Sequence, residues 1–142
     1  MGEMKEWTLD RGLQSPVMFT GQLVAHLDGT GGRSLWQSLI GGGRWHNLSV
    51  FRTREGRWIA YITFRSNVKG ELGNREVFWC DQAADLPTVF AQYQQVAFPV
   101  LASRMLGDPA TIQRAAVDLM ARYQQQAAKL MTMIPQATLR IG

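Results

Sequence analysis

The sequence predicts an α+β domain: a four-stranded antiparallel β-meander with one face covered by C-terminal helices, the last of them long. Three observations carry this. Apolar and polar residues alternate before residue 80, apolar residues recur at spacings of three and four after residue 85, and the strand-like runs are joined by short connections. The chain divides accordingly into an N-terminal arm (1–16), a sheet (17–80), a helical layer (85–134) and a C-terminal arm (135–142), all within one domain of 142 residues. At this length folding buries about 68–70% of the unfolded chain's surface, enough for a core without disulfide staples.

Taken in order, the first predicted strand holds Phe19, Leu23, Ala25 and Leu27 on one parity and Thr20, Gln22, His26 and Asp28 on the other, the period of a half-buried strand. Gly29 to Gly43 contains six glycines around Leu35, Trp36, Leu39 and Ile40 and reads as a long loop with one short helical turn. Residues 45–53 and 57–66 are rich in β-branched and aromatic side chains. Arg54-Glu55-Gly56 between them predicts a tight hairpin with glycine at a positive φ. A second loop, Asn67 to Asn74, leads to a fourth strand over Arg75 to Cys80.

From Asp85 the period becomes helical. Asp85 is placed to cap a helix running through Phe90 and Tyr93, with Pro87 tolerated in its first turn. Pro99 forces a kink or a restart, and Gly107 ends the segment from Val100 to Leu106. Asp108-Pro109 pairs an N-cap with proline at the first helical position. The helix it opens extends to Ile134, about 39 Å at 1.5 Å per residue, before Pro135. Ile112, Ala116, Leu119, Tyr123, Ala127, Leu130 and Ile134 form one apolar stripe along it. The stripe serves either to cover this chain's own sheet or to pair with a second copy, and the sheet's need for a cover favours the first.

Catalytic and metal-binding patterns do not stand out. One cysteine and two histidines exclude thiolate-rich and histidine-rich metal sites. Gly29-Thr30-Gly31-Gly32-Arg33-Ser34 departs from a phosphate loop at Leu27 and Arg33, where glycine and lysine are required. Cys80 ends an apolar run, Val77-Phe78-Trp79-Cys80, the setting of an inert buried thiol. His26 has the opposite parity to Leu23, Ala25 and Leu27, so it is expected at solvent or on the sheet's second face, whereas His46 falls in phase with Leu48 and Val50 as a core-edge histidine. Asp81 and Asp85 sit near a helix start, where the macrodipole already favours negative charge. The expectation is a protein without catalytic residues, metal or cofactor.

The charge distribution is more informative. Of fifteen basic residues, eight lie between Arg33 and Arg75 against only Glu55 and Glu71, a local charge of +6 where the whole chain carries +4. Seven of the fourteen aromatic residues fall between Arg44 and Cys80, in the hairpin and the strand that follows it. Parity assigns Leu48, Val50, Trp58, Ala60, Ile62 and Phe64, with Val77 and Trp79, to a core under the helices. It leaves Trp45, Asn47, Ser49, Phe51, Arg57, Ile59, Tyr61, Thr63 and Arg65, with Glu76, Phe78 and Cys80, on a second face. Phe51 and Tyr61 then stand ready to stack bases while Arg52, Arg57 and Arg65 meet phosphates, the combination used by sequence-tolerant single-strand binders. Arg44, Trp45, Arg54, Lys69 and Arg75 complete the candidate surface.

The competing explanation is structural. If Trp7, Leu9 and Leu13 of the N-terminal arm cover this face, its aromatics are only core. The functional expectation is a non-enzymatic binding protein that takes nucleic acid, single strands favoured. An adaptor or inhibitor that blocks a protein or nucleoprotein partner through the same face or the long helix is the alternative. A homodimer is the expected assembly if the helix pairs. Met1 to Gly12 lacks an apolar stretch typical of secretion signals and no run of 18 apolar residues occurs, so a cytoplasmic protein with no membrane contact is expected.

Overall fold

The computed structural model describes residues 3–29 and 43–134. The helical turn expected around Leu35 to Ile40, the glycine loop with Arg33, and the C-terminal arm lie outside the described residues.

Five strands follow one another in space as in sequence: β1 (Lys5–Arg11), β2 (Gln14–Asp28), β3 (Arg44–Thr53), β4 (Trp58–Ser66) and β5 (Asn74–Cys80), every neighbouring pair antiparallel. The α+β meander is therefore as the sequence predicts, but with five strands rather than four. The extra strand comes from the stretch read as an N-terminal arm. Trp7 and Leu9 share one face there, opposite Phe19 and Val17, and their burial holds β1 to the sheet. Gly12 turns the chain at φ +69, its N–H donating to Asp10 Oδ1 at 2.8 Å. Pro16 falls where the β1–β2 register shifts between Leu9 and Arg11, a place that tolerates a residue without an N–H.

Two further features escape a simple reading of parity. Leu23 pairs with Phe51 and Ala25 with Val50, so Val24 is an extra residue in β2. Such a bulge reverses which side chains face which way. Phe19 and Leu23 therefore line the second face, while Ala25 and Leu27 pack under the helices. In β5, Phe78 and Cys80 pack toward the helices, Val77 joins the second face, and Trp79 is 40% exposed, the reverse of the predicted assignment. Register decides this, because Phe78 lies opposite Ala60 and Val77 opposite Tyr61. Four apolar residues in a row give parity no purchase.

The helical layer begins with a 3-10 turn (Ala83–Asp85) that runs into α1 (Leu86–Gln92) without a side-chain cap from Asp85. A π-helical turn (Tyr93–Ala97) then precedes α2 (Phe98–Ala102). The N–H of Phe98 reaches back to Tyr93 carbonyl, so the helix widens immediately before Pro99, which has no N–H to give and whose ring needs room. This is the restart the sequence predicts, achieved without leaving the helix. Asp108 caps α3 (Pro109–Thr132) by accepting the Thr111 N–H at 3.0 Å. Leu119, Tyr123, Leu130 and Ile134 of its stripe are buried against the chain's own sheet.

The sheet thus carries a core on each side. The larger joins Leu48, Val50, Trp58, Ala60, Ile62 and Phe64 to α1, α2 and α3; the smaller, on the second face, is built on Leu9, Phe51 and Ile59 with Trp7, Val17, Phe19, Leu23, Tyr61 and Val77 around them. The sheet curls into a half-barrel that brings β1 round to β5, where Arg75 Nη1 lies 3.4 Å from Asp10 Oδ2. No helix among the described residues is long and apolar enough to cross a membrane.

Candidate functional site

The second face of the sheet has two halves. Toward the β3–β4 turn, the β1–β2 hairpin covers it. Phe51 is 3% exposed and meets Trp7 and Phe19 edge-on, with ring centroids 4.8 and 5.3 Å away. An aromatic ring enclosed in this way holds the hairpin down and has no face to offer a base. Leu13, at the tip of the hairpin, takes no part and is fully exposed. Tyr61 stands at the boundary: its ring packs on the small core and its hydroxyl donates to the Asp10 carbonyl. Burial raises the Tyr61 phenol above its ordinary pKa, so it stays a neutral donor at physiological pH.

Arg44, expected on the binding surface, is buried. Its Nε and Nη2 donate to the two carboxylate oxygens of Glu71 at 2.7 and 2.8 Å, and Nη2 also reaches the Leu106 carbonyl. Glu71 in turn accepts from Ser66 Oγ at 2.7 Å and from the Leu106 N–H at 2.8 Å. Burial alone works to raise this carboxyl, but hydrogen bonds from Arg44, Leu106 and Ser66 outweigh it and hold its pKa below the usual carboxylate value. The group ties the start of β3 to the β4–β5 loop and to the segment between α2 and α3. Arg44 is a structural arginine.

The other cations separate by position. Arg52 lies opposite Trp58, on the helix-covered side, and stacks over its ring at 5.4 Å. Arg54 is exposed in the β3–β4 turn. Arg57, at the same end, pairs with Asp81 at 3.2 Å and lies over the Trp79 ring. Lys69 is exposed in the β4–β5 loop. Among the described residues of the predicted surface, Trp45, Arg65 and Arg75 come together on the half of the second face beyond the β1–β2 hairpin, where Arg75 also pairs with Asp10. Trp45 is directly opposite Arg65, and Arg75 is opposite Thr63, which is itself opposite Asn47.

The same uncovered half holds a constellation that the sequence reading did not assemble. His26 and Asp28 are two apart on β2 and so share a face, and the register sets Ser49 directly opposite His26. His26 Nδ1 is 2.7 Å from Ser49 Oγ, and its Nε2 is 2.8 Å from Asp28 Oδ1. Asn47, opposite Asp28, accepts the Gly29 N–H through Oδ1 at 3.1 Å. The placement of His26 away from the helices was legible in the sequence. Its pairing with a serine 23 residues away was not, because only register across β2 and β3, reset by the Val24 bulge, brings the two together.

The remaining reactive groups are occupied structurally. His46 is fully buried, with Nε2 2.7 Å from the Tyr93 hydroxyl and the rings of Phe64, Phe98 and Tyr123 around it. Burial, aided by the positive charge of Arg122, lowers its pKa to about 3, so it is neutral. Burial and the neighbouring Asp85 and Asp81 push the Cys80 thiol up to about 11, leaving little thiolate at neutral pH. Among the described residues no group of three or more histidine, cysteine or carboxylate side chains is arranged to hold a metal ion. Compared with protein-family models, curated proteins and solved structures, the chain matches none.

Proposed function

We propose that the protein is a binding module that takes nucleic acid, single strands in preference, across the uncovered half of its second sheet face. The observation that carries this reading is the meeting of Trp45, Arg65 and Arg75 on adjacent strands, an indole beside the exposed Arg65 guanidinium and that of Arg75, which also pairs with Asp10. An indole supplies a stacking platform for any base, and guanidinium groups meet phosphates without regard to sequence. Lys69, in the loop that leads to β5, extends the cationic track. Phe51 and Arg44 contribute through the fold.

Fluorescence anisotropy with labelled single-stranded and duplex DNA and RNA tests this reading. About three phosphate contacts on a single strand give a roughly 20-fold loss of affinity between 50 and 200 mM salt. Arg65→Glu is expected to abolish binding without changing the melting temperature. Salt-independent binding, or binding indifferent to Arg65→Glu and Trp45→Ala together, sinks the proposal.

A protein partner is the second reading, favoured by Val117, which is 66% exposed on the outer side of α3 and lines an open groove with Phe98, Met120 and Ala121. Binding through that groove is lost in Val117→Glu and indifferent to Arg65→Glu.

A further inference from the structure

We propose that Ser49, His26 and Asp28 form an acyl-transfer site for small carboxylic esters. The inference stands on its own geometry and does not rest on the nucleic-acid reading. The hydrogen bonds fix the direction of the relay. An ionised carboxylate only accepts, so the 2.8 Å contact between Asp28 Oδ1 and His26 Nε2 places the imidazole proton on Nε2. Nδ1 then carries the lone pair, and the Ser49 hydroxyl, 2.7 Å away, donates to it. A serine hydroxyl donating to an imidazole whose other nitrogen is held by a carboxylate is the arrangement that activates a serine nucleophile, and it is recognised by geometry rather than by order in the chain.

Placement favours the arrangement. All three residues lie on strands rather than loops, with Ser49 on the central strand β3 and 8% exposed. His26 and Asp28 are about half exposed at the open side, where a substrate and water arrive. Asn47, two residues before Ser49 on the same face, accepts the Gly29 N–H through Oδ1, and among the described residues its amide nitrogen is assigned as the donor for developing negative charge. The near-burial of Ser49 restricts the substrate to a short acyl group.

In the first half-reaction, Ser49 Oγ bonds to the ester carbonyl carbon as its proton moves to His26 Nδ1. The tetrahedral intermediate then breaks its bond to the alcohol oxygen, which leaves with the proton from Nδ1, and an acyl-serine remains. Water, giving a proton to Nδ1, attacks the acyl carbon. The bond to Ser49 Oγ breaks, and the serine recovers its proton. Ester and water have become acid and alcohol, with the protein unchanged.

The test treats the full chain with a fluorophosphonate probe and, in parallel, with p-nitrophenyl acetate and p-nitrophenyl octanoate. The expected result is a single covalent adduct, mapped by peptide mass to Ser49, and acetate hydrolysis that far exceeds octanoate hydrolysis. Ser49→Ala abolishes both adduct and turnover, and His26→Ala slows labelling about 100-fold or more, the range of a lost general base. Asp28→Asn, at an exposed position that leaves the fold intact, slows it at least about tenfold. An adduct elsewhere or none at all, or acetate hydrolysis that survives Ser49→Ala, overturns the proposal. Hydrolysis that survives Ser49→Ala but fails in His26→Ala identifies a bare imidazole and equally overturns the role of Ser49. Should Ser49→Ala fail to fold, adduct mapping on the natural chain and the Asp28→Asn rate decide alone.

Discussion

The two faces of this sheet are made by the same central strands and end in different states. On one face His46, Leu48 and Val50 of β3 and Trp58, Ala60, Ile62 and Phe64 of β4 are covered along their whole length by α1, α2 and α3. On the other, the β1–β2 hairpin closes over Phe51 and Ile59, reaches Tyr61 and pairs its Asp10 with Arg75, and beyond it lie Trp45, Arg65 and the half-exposed His26 and Asp28 beside the nearly buried Ser49. An aromatic on the second face is therefore core or surface according to how far along the strand it lies. Alternation separates the faces, and only the reach of the covering segment separates core from site.

The comparison can be broken most forcefully where the helical side is locked to the strands. Removing Glu71 leaves the Arg44 guanidinium buried without its counter-charge, so Glu71→Ala is expected to cost about 3–5 kcal/mol in urea denaturation. Insensitivity to this change would mean that Arg44 reaches solvent. Phe51→Ala comes next, at about 3 kcal/mol, because it empties the centre of the smaller core. If Phe51→Ala instead weakens ligand binding and leaves stability intact, the hairpin does not cover that half of the face.

The helix-covered side also carries a pH signature. His46 stays neutral down to about pH 3 in the folded chain, whereas an unfolded histidine takes up a proton near 6.5. Below pH 6.5 the unfolded state binds the extra proton, so stability falls as pH falls toward 3, by up to about 1.4 kcal/mol per unit, and is unaffected by this group above 6.5. His46→Gln should flatten that slope, as read from urea midpoints between pH 4 and 7. The smallest effect belongs to the open half. Arg65→Glu is expected to change stability by less than about 0.5 kcal/mol, and a larger loss would make Arg65 structural.

Much of the architecture was legible because it depends on local physics. The hairpin over 45–66 follows from β-branched runs around a glycine that turns at φ +90. The start of α3 follows from an aspartate that caps and a proline that loses nothing at the first position. The α3 stripe follows from its period, and its burial on the chain's own sheet satisfies a face that water would otherwise wet. The candidate surface was legible only in part. Trp45, Arg65 and Arg75 share the open face, but Arg44 and Phe51, equally plausible by composition, are enclosed. Lys5 to Arg11 was passed over as a strand because a short amphipathic run with four charged residues carries weak strand propensity and gains its burial only from its partner.

By itself the sequence determined the class of fold, the hairpin, the capped long helix and the side of the sheet that the helices cover, since each is set by contacts among neighbours in the chain or by a repeat that a single segment displays. Only the tertiary structure decided the fifth strand, the reversal of β5, the burial of Arg44 against Glu71 and the alignment of Ser49, His26 and Asp28. Those depend on register and on a one-residue bulge at Val24, which join positions tens of residues apart. A period of two records which side chains share a face, and it contains no term for what comes to lie against that face.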